Sequence, residues 1–448
     1  MTSARQAAFH TLLRIDKERS YADILIDQEL KEGGLAGPDR GLYTELVYGT
    51  LRKQGTLDHI IGQFSKTPPL KLEKIVLLLL RLGLYQMFFL DRVPVSAAVN
   101  ETVNLAKQFA PRAAGFINAV LRSADRGRAD IVYPDPDQEP AAFLAARHSH
   151  PLWVVEKWLG QLGYAEAAEV AAAMSSPPPF TIRANRLKID REALIKRLQA
   201  EGVTATPCSY APDGLTITSS VSLSSLKPFS EGLFAVQDEA SQLSASLLSP
   251  EPGDAILDLC AAPGGKAAYL AELTGDRCTL VACDRNPRKL ALIREVIERL
   301  GIQSITTTLL DATKPLEKLQ PMLFDRILVD APCSGLGVIH RNPEGKWWKE
   351  LTDPARLAVT QLAIVANAAT RLKPGGTMVY STCSTSLEEN EQVVDNFLSG
   401  HPEFVIEPVS RALPQLAQME TGDGFFRSWP HRHGMDGFFA ARLTKKRG

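Results

Sequence analysis

The sequence predicts a multidomain protein of mixed α and α/β class, with an all-helical N-terminal bundle, a small α+β middle domain and a C-terminal parallel sheet covered by helices. The length of 448 residues indicates about three domains at roughly 150 residues each. Apolar residues recur at helical spacing up to about residue 130. From Ala255 onward, short apolar strands alternate with helical segments. We expect the domains to span residues 1–135, 136–240 and 241–448.

The composition is that of a folded protein without a global charge bias. Hydrophobic residues make up 45% and charged residues 23%, and the formal net charge is −1, so contacts with nucleic acid must come from local basic patches. The strongest apolar run, Ile75 to Leu90, is interrupted by Arg81 and Gln86 and is too short for a membrane span. None of the six cysteines forms a CxxC pair, so we expect no zinc ribbon, no other metal site and a cytoplasmic protein with free thiols.

The N-terminal part is predicted to be a bundle of helices, because apolar residues repeat every three or four positions and turn residues separate the segments. The predicted helices are Ala4–Ile15, Tyr21–Leu30, Arg40–Leu51, Leu70–Leu84, Val95–Phe109 and Ala113–Ala124. The proline- and acid-rich stretch Tyr133–Pro140 predicts a linker, and two further helices are expected at Pro151–Leu162 and Ala165–Met174.

The middle part changes pattern after three consecutive prolines. Phe180–Leu187 alternates like a strand, Arg191–Ala200 is typical of a short helix, and Leu215–Thr218 and Leu233–Val236 predict short strands. The C-terminal part then predicts a parallel sheet. Its expected strands are Ala255–Leu259, Thr279–Cys283, Ile305–Leu310, Arg326–Val329 and Thr377–Ser381.

Every segment with chemically useful side chains follows the end of one of these five strands. In an open α/β sheet, ligands bind beyond the carboxyl ends of the strands, so these segments should converge on one site. They are the glycine turn Asp258–Lys266, the single acids Asp284 and Asp311, and the cysteine segments Asp330–Gly335 and Ser381–Ser384.

The first three segments suit a nucleotide-like cofactor. The small residues of the glycine turn allow backbone amides to approach a ligand, Asp284 can accept hydrogen bonds from ribose hydroxyls, and Asp311 is placed to contact an adenine amino group. The turn alone fits a tight packing turn equally well. It is neither GxGxxG nor a Walker loop, since Lys266 is followed by Ala267, which has no hydroxyl for magnesium.

The last two segments suit covalent chemistry on a cytosine. A thiolate that attacks carbon 6 makes carbon 5 able to accept a methyl group, a carboxyl group can hold the ring nitrogen, and a second group must help to release the product. Cys333, Cys383 and Asp330 supply such groups, and Lys266 can favour the thiolate. The residues themselves leave open which cysteine is the nucleophile.

The remaining cysteines are expected to be structural. Cys208, Cys278 and Cys283 are predicted to be small buried hydrophobic side chains, and Cys260 to pack within the cofactor loop.

The three motifs Asp258–Lys266, Asp330–Gly335 and Thr382–Ser384 resemble those of the RNA 5-methylcytosine methyltransferases, the RsmB/RsmF/NSUN superfamily. The tail Trp429–Phe439 resembles the end of that catalytic domain, and the helical N-terminus resembles the NusB fold. This pairing is typical of the RsmB (Sun/Fmu) subfamily. The resemblance implies a NusB-like RNA-binding bundle joined to a Rossmann-like domain that uses S-adenosylmethionine to methylate carbon 5 of a cytosine in small-subunit (16S) ribosomal RNA, in a monomeric protein.

The resemblance also implies individual roles. Cys383 corresponds to the nucleophile that forms the adduct with carbon 6, Cys333 helps to release the product, Asp330 holds the cytosine beside the cofactor, and Lys266 reaches the base. The implied cofactor-binding residues are Cys260, Ala261, Ala262, Pro263, Gly264, Gly265 and Lys266 around the methionine part, with Asp284, Asp311 and Asp330.

Basic side chains near aromatic ones are candidates for contact with RNA. Arg341, Lys346 and Lys349 interleave with Trp347 and Trp348, although these tryptophans fit core packing equally well. The other candidate sets are Arg183, Arg186 and Lys188 on one predicted strand, and Arg122, Arg126 and Arg128 at the end of the helical part.

Three alternative functions stay open at this point. The acceptor is another ribosomal RNA or a transfer RNA, or the chain is a non-catalytic RNA-binding assembly factor with a decayed enzyme domain. Methylation of an exocyclic amine is the third alternative. It is disfavoured because such enzymes carry Asn/Asp-Pro-Pro-aromatic at the fourth strand, where this chain has the segment from Asp330 to Cys333.

Overall fold

The computed structural model describes residues 3–219 and 226–447 and divides into two compact units. The first unit comprises Met1–Pro177 together with the later segment Ile339–Leu351. The second comprises Pro178–Val338 and Thr352–Gly448. Each unit has its own hydrophobic core, and each is described separately below. No helix within the described residues has both the length and the apolar character needed to cross a membrane.

The first unit is helical throughout its described residues, as the apolar spacing predicts. Its helices are α1 (Ala4–Glu18), α2 (Ala22–Glu32), α3 (Pro38–Arg52), α4 (Gln54–Phe64), α5 (Lys74–Phe89), α6 (Val95–Phe109), α7 (Ala114–Arg126), α8 (Pro140–His148), α9 (Leu152–Leu162) and α10 (Tyr164–Met174). Helix α1 begins where the Ser3 hydroxyl accepts a hydrogen bond from the amide of Gln6, and α5 is buried along most of its length.

Two helices of this unit were not predicted. Helix α4 buries Leu57, Ile60 and Ile61, whose helical spacing is present in the sequence. Two glycines, Gly55 and Gly62, lower the helix propensity of the same stretch and hide that signal. Helix α8 begins at Pro140, where the missing amide costs nothing because the first amides of a helix have no partner within it.

The segment Ile339–Leu351 belongs to the helical unit and packs into it. Lys346 is fully buried and donates a hydrogen bond of 3.3 Å to the carbonyl of Arg52. The ring of Trp348 lies 5.8 Å from that of Tyr21, and Trp347 lies so close to Gly55 that a Cβ there would be 2.7 Å from its ring. The expectation that Lys346 meets RNA phosphates is therefore wrong, and the structure favours core packing for both tryptophans.

The second unit begins with a small antiparallel sheet in the order β2-β3-β1-β4. Its elements are β1 (Phe180–Ala184), α11 (Arg191–Ala200), β2 (Ala205–Pro207), β3 (Gly214–Ile217), α12 (Lys227–Ser230) and β4 (Phe234–Val236). The expectation that Arg183 contacts RNA is wrong, because its side chain is fully buried in a 2.6 Å ion pair with Glu272. Burial of a guanidinium requires such a partner, and a partner 89 positions away leaves no trace in the local pattern.

The large sheet of the second unit has the order β10-β12-β9-β8-β5-β6-β7, with β11 paired to β12. All five predicted strands are confirmed to within a few residues at their ends, and β5 to β9 pair in parallel. The strands are β5 (Ala255–Asp258), β6 (Thr279–Asp284), β7 (Ile305–Leu309), β8 (Phe324–Asp330), β9 (Leu372–Thr382), β10 (Phe404–Ile406), β11 (Phe426–Ser428) and β12 (Phe438–Lys445).

Helices cover this sheet and connect its strands. They are α13 (Glu239–Ser246), α14 (Gly265–Leu273), α15 (Pro287–Leu300), α16 (Asp353–Ala369), α17 (Glu391–Gly400), α18 (Val409–Ala412) and α19 (Pro430–His433). From β5 the chain proceeds outward to β6 and β7 on one side, and then returns to β8 and β9 on the other side. The direction of winding therefore reverses between β5 and β8, which is where an open α/β sheet forms a ligand crevice.

Candidate active site

A cavity of about 260 Å³ opens at the reversal of strand order, beyond the carboxyl ends of the parallel strands. Seven of the residues predicted for the site line it, namely Cys260, Ala262, Asp284, Asp311, Asp330, Cys333 and Cys383. The other predicted residues, Ala261, Pro263, Gly264, Gly265 and Lys266, complete the glycine turn but are not among the described residues that line the cavity. The structure thus brings the five strand ends together as the sequence predicts.

The glycine turn leads from β5 into α14. Gly264 has a φ of +107°, and a Cβ at this position would come within 3.2 Å of the backbone of Ile293. Only glycine fits such a turn without strain. Asp258 at the end of β5 is fully buried, and burial followed by repulsion from Asp330 raises its pKa to about 8. This carboxyl group is therefore held largely neutral near pH 7.

The two single acids lie on the cavity wall as predicted. Asp284 accepts a hydrogen bond of 2.8 Å from the amide of Asn286, which fixes its carboxylate at the start of α15. Asp311 accepts hydrogen bonds from the hydroxyl and the amide of Thr313, and these bonds lower its pKa. Two oriented carboxylates at neighbouring strand ends can accept hydrogen bonds from hydroxyl and amino groups of a ligand.

Asp330 stands at the centre of the site and is held from two directions. Lys266 lies 2.8 Å from one of its oxygens, and the hydroxyl of Ser381 donates a 3.0 Å hydrogen bond to the other. Burial lowers the pKa of Lys266, but the attraction of Asp330 outweighs it and raises the pKa above its ordinary value. The ammonium group therefore stays charged, and it also lies 4.9 Å from the ring of Phe438.

The two cysteine segments meet sulfur to sulfur. The Sγ atoms of Cys333 and Cys383 are 3.3 Å apart, although the residues are 50 positions apart in the sequence. Contact with the Cys383 sulfur and burial raise the pKa of Cys333 well above its ordinary value, so Cys333 is held as a thiol. A thiol beside a second sulfur can donate a hydrogen bond to it.

A buried carboxylate that the sequence analysis did not identify joins the two cysteine segments. Glu389 is fully buried and accepts a 2.7 Å hydrogen bond from the amide of Ser334, one residue after Cys333. It also accepts a 2.5 Å hydrogen bond from the hydroxyl of Ser384, one residue after Cys383. Gln361 donates a third, at 3.1 Å. The hydrogen bonds of Glu389 therefore connect the two loops that carry the sulfurs.

Glycines bring the same loops and the C-terminal tail together. The amide of Gly337 donates to the carbonyl of Cys383, and the amide of Gly437 donates to the carbonyl of Gly337, both at 2.9 Å. A Cβ on Gly337 would lie 1.9 Å from the carbonyl oxygen of Gly437. No side chain fits at this crossing, so the tail supports the cysteine segments from behind.

Several further residues line the cavity. Leu259, Ala331 and Pro332 belong to the predicted segments, whereas the sequence analysis did not identify Arg285, Lys289, Leu310, Ala312, Thr313, Thr360 and Ile364. Arg285 directly follows the predicted Asp284, so its position after a strand end was the available signal, whereas Lys289 lies on α15. Thr360 and Ile364 lie on α16, far from any motif in the sequence, and only the packing of that helix brings them to the site.

The other cysteines follow the structural expectation only in part. Cys208 and Cys283 are buried, and burial raises the pKa of each to about 12. Cys278 is partly exposed and donates a hydrogen bond to the hydroxyl of Ser304. Cys260 lines the cavity, and burial raises its pKa well above its ordinary value, so it contributes a neutral surface to the site.

Three families match successive parts of the chain. The NusB family matches residues 2–126, the ferredoxin-like domain of RsmF/B-like methyltransferases matches residues 150–224, and the 16S rRNA methyltransferase RsmB/F family matches residues 245–444. The expected NusB-like N-terminus, small middle domain and C-terminal methyltransferase domain are thereby confirmed.

Full-length relatives share this arrangement. A Bacillus subtilis protein described as "Probable ribosomal RNA small subunit methyltransferase B" is 38% identical, over 99% of this chain and 99% of its own length. The ribosomal RNA small subunit methyltransferase B of Pseudomonas syringae is 36% identical, over 91% of this chain and 89% of its own length.

Solved structures share the fold of all or part of this chain. The crystal structure of PH0851 has a TM-score of 0.84 and 28% identity, and the match covers 99% of this chain and 98% of that one. The methyltransferase homolog protein from Pyrococcus horikoshii has a TM-score of 0.60 and 29% identity, over 68% of this chain and 99% of that one.

Proposed function

Because this chain belongs to the 16S rRNA methyltransferase RsmB/F family, we propose that it transfers a methyl group from S-adenosylmethionine to carbon 5 of a cytosine in small-subunit ribosomal RNA. We further propose that residues 1–135 contribute RNA binding, that residues 136–240 form the middle domain, and that residues 241–448 carry catalysis. The observation that supports this proposal best is the pair of sulfurs 3.3 Å apart beside Asp330, at the crevice of the sheet.

The cavity has side chains suited to S-adenosylmethionine, which supplies an electrophilic methyl group when bound. Asp284 would accept hydrogen bonds from the ribose hydroxyls, and Asp311 would accept one from the adenine amino group. The turn from Cys260 to Lys266 would hold the methionine part, because its small residues leave the backbone open to a ligand. The Cys260 thiol on the same wall is neutral and adds no charge beside the cofactor.

Cys383 is the proposed nucleophile. Its thiolate attacks carbon 6 of the cytosine and forms a sulfur–carbon bond, and the electron density that moves to carbon 5 makes that atom able to accept a methyl group. Asp330 holds the ring nitrogen while charge develops. The charged ammonium of Lys266, which interacts electrostatically with Cys383, favours the thiolate before attack and keeps Asp330 oriented.

Cys333 is the proposed group for product release. After methyl transfer a solvent water takes the proton from carbon 5, the electron pair of that carbon–hydrogen bond re-forms the double bond between carbons 5 and 6, and the pair of the sulfur–carbon 6 bond returns to the Cys383 sulfur. A thiol at Cys333 donates a hydrogen bond to the departing sulfur and stabilises it as a thiolate. Its raised pKa keeps the proton available across the neutral range.

The test compares three cysteine variants with S-adenosylmethionine and 16S ribosomal RNA. We expect Cys383→Ala to abolish methyl transfer while cofactor binding survives, and Cys333→Ala to accumulate a covalent protein–RNA adduct that is visible on a denaturing gel. Cys208→Ala, in the small sheet, is the matched control and should behave as the wild type. If Cys333→Ala turned over normally and Cys383→Ala formed the adduct, the two roles would be reversed.

The alternative functions have separate tests. Mapping of 5-methylcytosine in ribosomal and transfer RNA, with and without the gene, identifies the acceptor. Failure to bind S-adenosylmethionine in calorimetry would favour a non-catalytic assembly factor. The contact between the sulfurs of Cys333 and Cys383 supports an enzymatic function, because a non-catalytic assembly factor does not need two adjacent thiols.

A further inference from the structure

The helical unit contains a second cavity, of about 530 Å³, that is separate from the methyltransferase crevice. All of its lining residues belong to the first unit, between Lys53 and His148. Three cations line it, namely Lys53 at the junction of α3 and α4, Arg128 after α7, and Arg147 near the end of α8. The arginines are exposed, so the cavity is open to a ligand from outside.

No carboxylate among the described residues neutralises the positive charge of this cavity. None of the three cations has a carboxylate within ion-pair distance among residues 3–219 and 226–447, and no acidic side chain is among the described lining residues. Lys53 instead donates a 2.8 Å hydrogen bond to the hydroxyl of Ser175, and Arg128 donates to the carbonyl of Met87. Gathering like charges around one cavity costs free energy, and a bound anion would offset that cost.

The neighbouring titratable groups respond to this charge. Burial, and then the repulsion of Arg52 and Arg147, lowers the pKa of Lys53. Burial, and then the repulsion of Lys53 and Arg147, lowers the pKa of His148 to about 4. His148 is therefore neutral at pH 7 and can accept or donate a hydrogen bond to a ligand without adding charge.

Each cation lies against an aromatic ring. The Arg128 guanidinium is 4.6 Å from the ring centre of Phe88, and the Arg147 guanidinium is 5.4 Å from that of Tyr133. The Lys53 ammonium is 5.7 Å from the ring centre of Phe89. These contacts orient the cations without neutralising them. Guanidinium planes backed by aromatic rings are surfaces on which unpaired RNA bases stack, while the same guanidinium groups contact phosphates.

We propose that this cavity binds a phosphate and an adjoining unpaired base of a single-stranded segment of the RNA substrate. The inference rests on the proposed function, which it deepens by naming a second RNA contact formed by residues of the first unit. An acidic protein segment would neutralise the three cations, but its carboxylates would not use the stacking surfaces that the guanidinium groups form over the aromatic rings. RNA is therefore the ligand that the lining fits best.

The same unit offers matched controls. Arg92 and Arg112 are exposed arginines that lie outside this cavity and were not predicted to contact RNA. Removing them takes away the same charge from the same unit without changing the cavity.

The experiment compares the Arg128→Ala/Arg147→Ala variant with the Arg92→Ala/Arg112→Ala control in the full-length protein. Binding of fluorescent 16S ribosomal RNA fragments is measured by anisotropy over a range of salt concentrations. We expect the cavity variant to bind roughly tenfold or more weakly, since charged hydrogen bonds are lost. We also expect the slope of log affinity against log salt to fall by about 0.7 for each lost phosphate contact. The control should keep the wild-type slope.

The remaining outcomes separate this inference from the proposed function. Methylation by the wild type with unchanged RNA affinity and salt slope in the cavity variant would overturn the inference and leave the function standing. If the wild type did not methylate RNA but its RNA binding still depended on Arg128 and Arg147, the proposed function would be overturned and the inference about the cavity would stand. Unchanged binding to naked RNA with lost binding to small-subunit particles would overturn the proposal in favour of an acidic protein partner. Melting curves and S-adenosylmethionine binding verify that the variants are folded.

Discussion

Replacing Glu389 by glutamine should disable the site without removing any group that touches the substrate. The carboxylate accepts hydrogen bonds from the amide of Ser334, from the side chain of Gln361 and from the hydroxyls of Ser334 and Ser384. Glutamine has the same shape, but it is neutral and offers one acceptor oxygen instead of two. One oxygen of Glu389 accepts the two N–H groups and the other accepts the two hydroxyls. In the glutamine variant, one of these two pairs must face the NH2 group of the new side chain instead of an oxygen.

The size of the effect follows from these contacts. A hydrogen bond to a charged group contributes about 1 kcal/mol more than one between neutral groups, so three or four weakened bonds predict a loss of about 3–4 kcal/mol in the free energy of unfolding. Because Ser334 and Ser384 directly follow the two cysteines, the same change loosens the 3.3 Å contact of the sulfurs. A misplacement of about 1 Å at reacting groups lowers the rate by about a hundredfold.

The assay measures kcat and KM for methyl transfer to 16S ribosomal RNA, together with urea denaturation. We expect kcat to fall by about tenfold to a hundredfold while KM for S-adenosylmethionine changes little. Glu388→Gln, at the adjacent and partly exposed position, removes the same charge and should retain wild-type kcat. A Glu389→Gln protein with wild-type kcat and unaltered stability would refute the idea that this carboxylate positions the sulfurs.

Three further predictions concern stability and activity. Since the pKa of Asp258 is raised to about 8 in the folded protein, its contribution to the free energy of unfolding should fall by about 1.4 kcal/mol per pH unit between about pH 4 and pH 8. Asp258→Asn should flatten this dependence in urea titrations at several pH values, and an unaltered slope would contradict the assignment. Burial, followed by repulsion from Lys53 and Arg52, lowers the pKa of Lys346 well below its ordinary value, so Lys346→Met should raise the free energy of unfolding at pH 7. A lower melting temperature for that variant would show that the ammonium has a stabilising role. Gly337→Ala should abolish methyl transfer or soluble expression because its Cβ would lie 1.9 Å from a carbonyl oxygen, and a normally active variant would mean that the tail can move away.

Much of the fold could be predicted because its signals are local. The five parallel strands are short apolar segments between turn residues, and they were placed to within a few residues. Convergence of the site also followed from a general property of parallel sheets, namely that ligands bind beyond the carboxyl ends of their strands. The three-part division at residues 135 and 240 stays a prediction, because the compact units divide the chain differently.

The remainder depends on partners that are distant in sequence. Arg183 had the pattern of a surface strand residue, but Glu272 holds it in the interior. Glu389 follows an ordinary acidic stretch, and its importance comes from donors 55 and 28 positions away. The cavity lined by Arg128 and Arg147 gathers segments with no shared motif. The spacing of residue types along a sequence does not show which distant residues come into contact in the folded protein.

The chain passes between its two compact units at three places, near residues 177, 338 and 351. A shortened protein that starts at Pro178 would keep the segment Ile339–Leu351 but lose the helices in which Lys346 is buried. Separate expression of the catalytic half therefore calls for a short polar bridge between Val338 and Thr352. A single protease cut near residue 177 would likewise leave Ile339–Leu351 on the fragment that starts near Pro178. The two fragments should then stay together only through the packing of this segment in the helical unit, where Lys346 bonds to the carbonyl of Arg52.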